Sequence, residues 1–153
     1  MHVRGDFVVL RADSLSLLLP QHDVNVSEYL EQAPSPTDSN GIYALGEVDG
    51  RTQRVAALSS EMKLMHEFPA GRFVLTRLSG SQDLLLAWNE VRVMMDTAFE
   101  FCPLPEVLRG RVGLIDAYVV LDDGVVAFCT TANRLLAEAQ IGDQPEREEA
   151  SVV

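Results

Sequence analysis

Residues 113–136, GLIDAYVVLDDGVVAFCTTANRLL, carry the reading on which the fold turns. Two β-branched apolar runs, 114–121 and 125–129, flank Asp122-Asp123-Gly124. Asp-Gly tolerates the positive φ angles of a tight type I′ turn, so the stretch predicts a β-hairpin. Thr130 or Thr131 then stands where it can cap a helix. Ala132, Leu135, Leu136 and Ala139 follow at i, i+3, i+4 and i+7, which makes one buried stripe. Gly142 and Pro145 end that helix. The first run is apolar on both faces, with Ile115, Ala117, Val119 and Leu121 on one and Tyr118 and Val120 on the other. Such a strand is expected to be covered on both sides.

The same device recurs upstream. Apolar runs over 7–11 and 15–19 are separated by Ala12-Asp13-Ser14, and Pro20 ends the second. Val24 and Val26 alternate with polar residues as a short strand, and the polar stretch 31–40, with Pro34 and Pro36, reads as a loop. Residues 42–48 and 54–58 form a hairpin about Asp49-Gly50, and 73–78 and 84–89 form another, with Val91 and Val93 continuing as a strand. Met62, Met65 and His66 lie at helical spacing from Ser59, so a short helix is expected over 59–68, broken by Pro69-Ala70-Gly71. Hairpin turns thus centre near residues 13, 49, 81 and 123, two on each side of that break. Regular short strands with few helices indicate a barrel or sandwich. The expectation is an all-β fold of two small barrels, subdomains 6–68 and 72–140, with a C-terminal helix and a disordered acidic tail over 141–153.

Bulk properties narrow the function. The 153 residues are 47% hydrophobic and 23% charged, enough to bury a core in one domain or two small ones. A net charge of −11, with Lys63 the only lysine and the arginines scattered, argues against nucleic acid and against anionic membrane surfaces. Cys102 and Cys129 are too few for a disulfide framework, which fits a reducing cytosol. Arg4, Asp6, Arg11 and Asp13 interrupt any apolar leader, and the longest apolar run is far shorter than the ~20 residues a membrane span takes. A cytoplasmic protein without direct membrane insertion is expected.

Motifs for chemistry are missing from the sequence. His2, His22 and His66 are isolated, with no ligand-spaced partner for a metal, and neither a P-loop, a G-x-G-x-x-G nor a G-x-S-x-G elbow occurs. Cys102 precedes Pro103 without a neighbouring cation that would activate its thiol, and reads as a small buried hydrophobe. Asp122-Asp123 falls in a turn and Glu148-Glu149 in the tail, settings that do not exclude water as an acid/base pair requires. No enzyme, cofactor or metal is expected. Trp88, within LLLAWNEV (84–91), reads first as a core aromatic and otherwise as an anchor for a partner.

In the order of its elements the chain resembles the CheW-like coupling proteins of bacterial chemosensory arrays. Ile115-Asp116-Ala117, then Asp123-Gly124, the apolar run 125–129 and Arg134-Leu135-Leu136 fit the family's closing hairpin and helix. Residues 85–91, LLAWNEV, fit its G-L-h-V-D-x-V pattern (h, apolar), with Asn89 where Asp is usual. Gly50, Val55 and Leu58 match the central N-L-R-G-x-x-h-P-V-h-D-L pattern over residues 47–58. Glu47, Asp49 and Ala57 stand where that pattern has Asn, Arg and Asp; Ala117 replaces a Gly and Thr131 an Asp. An Arg-to-Asp exchange reverses a charge, so a contact made by that guanidinium is lost or inverted.

The resemblance, over residues 6–140, implies two five-stranded SH3-like β-barrels and a non-enzymatic adaptor. Its partners would be the regulatory domain of a CheA-type histidine kinase and the signalling tip of a methyl-accepting chemoreceptor, in a chemotaxis, type IV pilus or gliding system. Val24, Asp49, Gly50, Asn89 and Val91 lie at or near matched positions and are the implied partner contacts. Within the same class the chain would be a decoy or modulator of the kinase. From another class, a small-molecule-binding regulatory β-barrel would line a pocket with Trp88 and Tyr118.

Overall fold

The computed structural model describes residues 1–48, 50–81, 83–106 and 115–140. The strands are β1 (His2–Ala12), β2 (Leu15–Pro20), β3 (Val24–Tyr29), β4 (Ser35–Pro36), β5 (Tyr43–Val48), β6 (Arg51–Ala56), β7 (Val74–Leu78), β8 (Leu84–Trp88), β9 (Glu90–Glu100), β10 (Cys102–Pro103), β11 (Ala117–Val120) and β12 (Val126–Cys129), and they are followed by one helix, α1 (Ala132–Gln140). A single 3-10 turn, Gln21–Asp23, joins β2 to β3. The fold is all-β with a C-terminal helix, as the hairpin pattern predicts.

Two six-stranded sheets form, in the orders β10-β11-β12-β2-β1-β9 and β3-β7-β8-β6-β5-β4. Each holds five substantial strands and one of two residues, β10 in the first sheet and β4 in the second. Sheet membership does not follow the division expected at residues 69–71. β9 returns antiparallel along β1, from Arg11↔Glu90 to His2↔Glu100, so the last part of the chain closes on the first. Within each sheet one parallel pair, β12 with β2 or β6 with β8, joins strands distant in sequence.

The core is three clusters. The largest lies between the sheets and takes Leu10, Leu17 and Leu19 from β1 and β2, Leu84, Leu86 and Trp88 from β8, and Leu135 and Leu136 from α1. Two smaller clusters fill the far side of each sheet, one around Phe7, Val9, Leu18 and Phe99, the other around Val55, Leu75, Leu85 and Ala87. β1, β2 and β8 therefore carry apolar residues buried on both faces. The closing hairpin fills that role at its base alone. Phe128 packs toward the inter-sheet cluster and Cys129 toward the opposite one, but Val120 at its tip is 56% exposed.

Two local expectations change. The closing turn is the three-residue form rather than type I′. Gly124 N–H donates to the Leu121 carbonyl at 2.9 Å, and within the turn the left-handed φ, +84°, belongs to Gly124 alone. Residues 59–68 form a closed loop instead of a helix. The Ser59 hydroxyl accepts from the N–H groups of Glu61 and Lys63, and Leu58 and Leu64 make an isolated bridge. Met62, at φ +63°, turns its side chain fully into the inter-sheet core. Serine competes with helix by bonding nearby backbone, and here it wins because the loop buries Met62. The expected tail at 141–153 lies outside the described residues.

Leu135→Ala, which removes a fully buried helix side chain from the inter-sheet cluster, is expected to lower unfolding free energy by about 2–5 kcal/mol. Urea denaturation measures this, and a loss under about 1 kcal/mol would show that α1 is not part of the cooperative core.

Candidate partner-docking site

The two sheets meet at two ends, and each end is tied by polar contacts. At the first, β3 begins with Val24 opposite Leu78, the last residue of β7. The 3-10 turn before Val24 places Asp23 against α1, where its carboxylate accepts from the Ala132 N–H at 2.9 Å. Thr131, rather than Thr130, is the helix cap, its hydroxyl accepting from Arg134 N–H at 3.5 Å. Ser79 N–H donates to the Asp23 carbonyl at 2.8 Å, and the Ser79 hydroxyl donates to the His22 carbonyl at 2.8 Å. Around these groups lies an open depression of about 390 Å³, lined by Pro20, His22, Ser79, Gly80 and Asn133 among others.

The β5–β6 tip belongs to this end as well. Arg54 N–H donates to the Asp83 carbonyl at 2.8 Å, and the Arg51 guanidinium stands 3.8 Å from the Asp83 carboxylate. Gly50 is exposed in the turn before Arg51, with a φ of +78°. Val24 and Gly50 are thus gathered on either side of the β7–β8 turn. Val24 is buried in the inter-sheet cluster, so its side chain belongs to the core and offers no free surface. Asp49 lies outside the described residues.

Asn89 and Val91 sit at the opposite end. Val91 pairs with Leu10 and packs half-buried on the inter-sheet cluster. Asn89 is a clasp. Its side-chain oxygen accepts from Asp13 N–H, its amide donates to the Gly71 carbonyl at 3.0 Å, and its own N–H donates to the Arg11 carbonyl at 2.8 Å. Arg72 completes the tie. Fully buried, it donates to the Asp13 carboxylate at 3.1 Å and to the Ala87 carbonyl at 3.2 Å. Asp13 occupies the β1–β2 turn at φ +56°, so this network fastens the first sheet's turn to β8 and to the segment before β7. Sequence reading missed Arg72 because a lone arginine after Pro-Ala-Gly resembles a solvated loop residue; its burial depends on Asp13, 59 residues away.

Trp88 is fully buried, its indole N–H donating to Thr76 Oγ1 at 2.8 Å, and lines no open pocket. Tyr118 is half-buried on β11, in the other sheet, so the pocket imagined between these two rings does not form. Cys102 and Cys129 are free thiols on β10 and β12, with β11 between them. Two strand spacings of roughly 4.8 Å each put their Cα atoms beyond disulfide reach. Burial, with the Asp116 carboxylate and Cys102 nearby, pushes the Cys129 thiol up to about 12. Among the described residues no three or more His, Cys, Asp or Glu gather as a metal site, and no helix is long and apolar enough to cross a membrane.

The arrangement of two sheets about a shared core has a solved counterpart. No family model matches the chain, and no curated protein sequence matches it. The crystal structure of the scaffolding protein TtCheW from Thermoanaerobacter tengcongensis superposes with a TM-score of 0.55 at 16% identity, over 84% of this chain and 90% of that one. The fold is CheW-like. A fold can be kept between sequences this far apart because it depends on the pattern of buried strand faces more than on particular residues.

Two outcomes are expected from the polar ties of this CheW-like fold. Asn89→Ala leaves the Asp13 N–H and the Gly71 carbonyl without their partner and costs about 1–3 kcal/mol of stability, read from thermal or urea unfolding. In native protein near pH 8 a thiol reagent modifies Cys102 and leaves Cys129 unreacted, because the buried Cys129 stays protonated. Rapid reaction of two thiols per chain before unfolding would contradict the burial of Cys129.

Proposed function

We propose that the chain is a non-enzymatic adaptor of a bacterial chemosensory array, linking chemoreceptor tips to a CheA-type histidine kinase in the cytoplasm. The observation that carries the reading is the CheW-like arrangement of both sheets and the C-terminal helix, matched over most of the chain to a scaffolding protein. The surface chemistry is compatible with it. The depression beside Val24 is open and mixed in character, with His22, Asp23, Ser79, Thr131 and Asn133 beside Pro20 and Ala132, and suits a protein surface better than an enclosed small molecule. In this reading the exposed β5–β6 tip around Asp49 and Gly50 touches the partner directly. Val24 and Val91 support the surface from beneath, and Asn89 acts by holding the two sheets together.

The test is binding of the purified full chain to the CheA regulatory domain and to a receptor signalling-tip fragment from the same cell. Saturable binding to both is expected, weakened about tenfold by Asp49→Arg through reversal of a rim charge, while Asn89→Ala affects binding only as far as it lowers stability. Binding to the kinase domain alone would make the chain a modulator or decoy. No binding to either, by protein shown to be folded, would overturn the adaptor reading.

A further inference from the structure

The second sheet is an incompletely closed barrel, and its seam is built differently from the rest of the surface. Its edge strands are β3 and the two-residue β4. β4 pairs with Tyr43 and Ala44 alone, so β5 beyond Ala44 has no strand on that side among the described residues. Between the edge of β3 and β5 lies a groove of about 520 Å³ whose floor is Leu30, Leu45 and Leu75. The charged residues lining it are Glu28 and Glu31, both exposed, and among the described residues no cation lines it.

Two large exposed aromatics stand nearby, Tyr29 on the lining of this groove and Phe73 on the adjoining depression. Tyr29, 75% exposed, ends β3, and Phe73, 58% exposed, precedes β7. The Leu30 N–H donates to the Phe73 carbonyl at 2.7 Å, so Leu30 and Phe73 stand opposite each other across the β3–β7 ladder. That bond also orients the strand. In an antiparallel ladder alternate residues turn their N–H and C=O to opposite sides. With Leu30 bonded to Phe73, Tyr29 directs its backbone groups away from β7, toward the open edge.

We propose that the β3 edge receives an extended, lysine- or arginine-bearing segment of a partner protein by strand addition. The outward backbone groups of Tyr29 would supply main-chain hydrogen bonds, the Leu30–Leu45–Leu75 floor would take alternate apolar side chains, and Glu28 and Glu31 would pair with the cations. Tyr29, which lines the groove, is the kind of aromatic anchor such surfaces use. A second copy of this chain is disfavoured as the occupant, because it would bring its own Glu28 and Glu31 and a net charge of −11 to an acidic groove. The inference rests on the fold alone, so failure of kinase or receptor binding would leave it standing.

The probe is a capped, fluorescein-labelled peptide of about eight residues alternating lysine and valine, titrated against the full chain by fluorescence anisotropy. Saturable binding is expected, weakened about tenfold by the double variant Glu28→Lys/Glu31→Lys and by salt. Tyr29→Pro, which removes the outward N–H at an edge position, should weaken it about as much, and Tyr29→Ala less. Circular dichroism melts establish that each variant folds. Should Tyr29→Pro fail to fold, a probe N-methylated at alternate amides on the edge facing β3 tests the same hydrogen bonds and is expected to lose binding. Equal binding of that probe, indifference to the Glu28/Glu31 reversal, or no saturable binding would overturn the proposal. A concentration-dependent dimer in sedimentation, abolished by Tyr29→Ala, would overturn it by giving the edge to a second copy.

Discussion

The constraint on which the structure depends is the double burial of β1, β2 and β8. Leu17, Leu18 and Leu19 are consecutive and all buried, as are Leu84, Leu85 and Leu86. In a strand, neighbours point to opposite faces, so each run needs apolar cover on both sides. One sheet cannot supply that. Two sheets back to back can, each curling over a small core of its own while sharing the large one between them. Helix α1 then fills the remaining gap with Ala132, Leu135, Leu136 and Ala139. The sheets are therefore unsuited to separation, because parting them would expose the largest cluster in the molecule.

Polar contacts fix how the two sheets are set on that shared core. Hydrophobic burial is non-directional, and many relative rotations of two sheets would bury similar area. The Asp13–Arg72–Asn89 clasp at one end and the Asp23–Ser79–α1 ties at the other are directional, and each joins segments far apart in sequence. Arg72 is the most committed of these groups. A fully buried guanidinium is tolerated because the Asp13 carboxylate and the Ala87 carbonyl replace part of its hydration.

Separating scaffold from surface explains how a CheW-like fold is shared with a solved structure at 16% identity. The buried faces need volume and periodicity, which many apolar residues satisfy. The exposed tips answer to whatever they touch. The same logic sets the β3 edge apart from β9, the long edge strand of the first sheet. β9 is interrupted by Asp96 at φ +47°, bonded to Asp6 and Arg4, a bulge that blunts an edge against pairing.

The sequence by itself determined the element types. Period-two alternation, Asp-Gly and Asp/Ser turn chemistry and the helical stripe at 132–139 are local signals, and each of the four hairpins formed where its turn was read. It also marked Trp88 as a core aromatic. The helix expected over 59–68 failed because the Ser59 hydroxyl and the burial of Met62 override a weak spacing pattern. What only the tertiary structure decided was which strands share a sheet, which apolar runs are covered twice, and what the polar residues do. Asn89 enters the sequence reading only as a contact implied by the resemblance, and in the structure its side chain joins Asp13 to Gly71; Arg72 drew no reading and is buried. Both outcomes depend on Asp13, which neither residue has as a neighbour along the chain. Local periodicity records which way a side chain points, and long-range pairing alone supplies the atoms it meets.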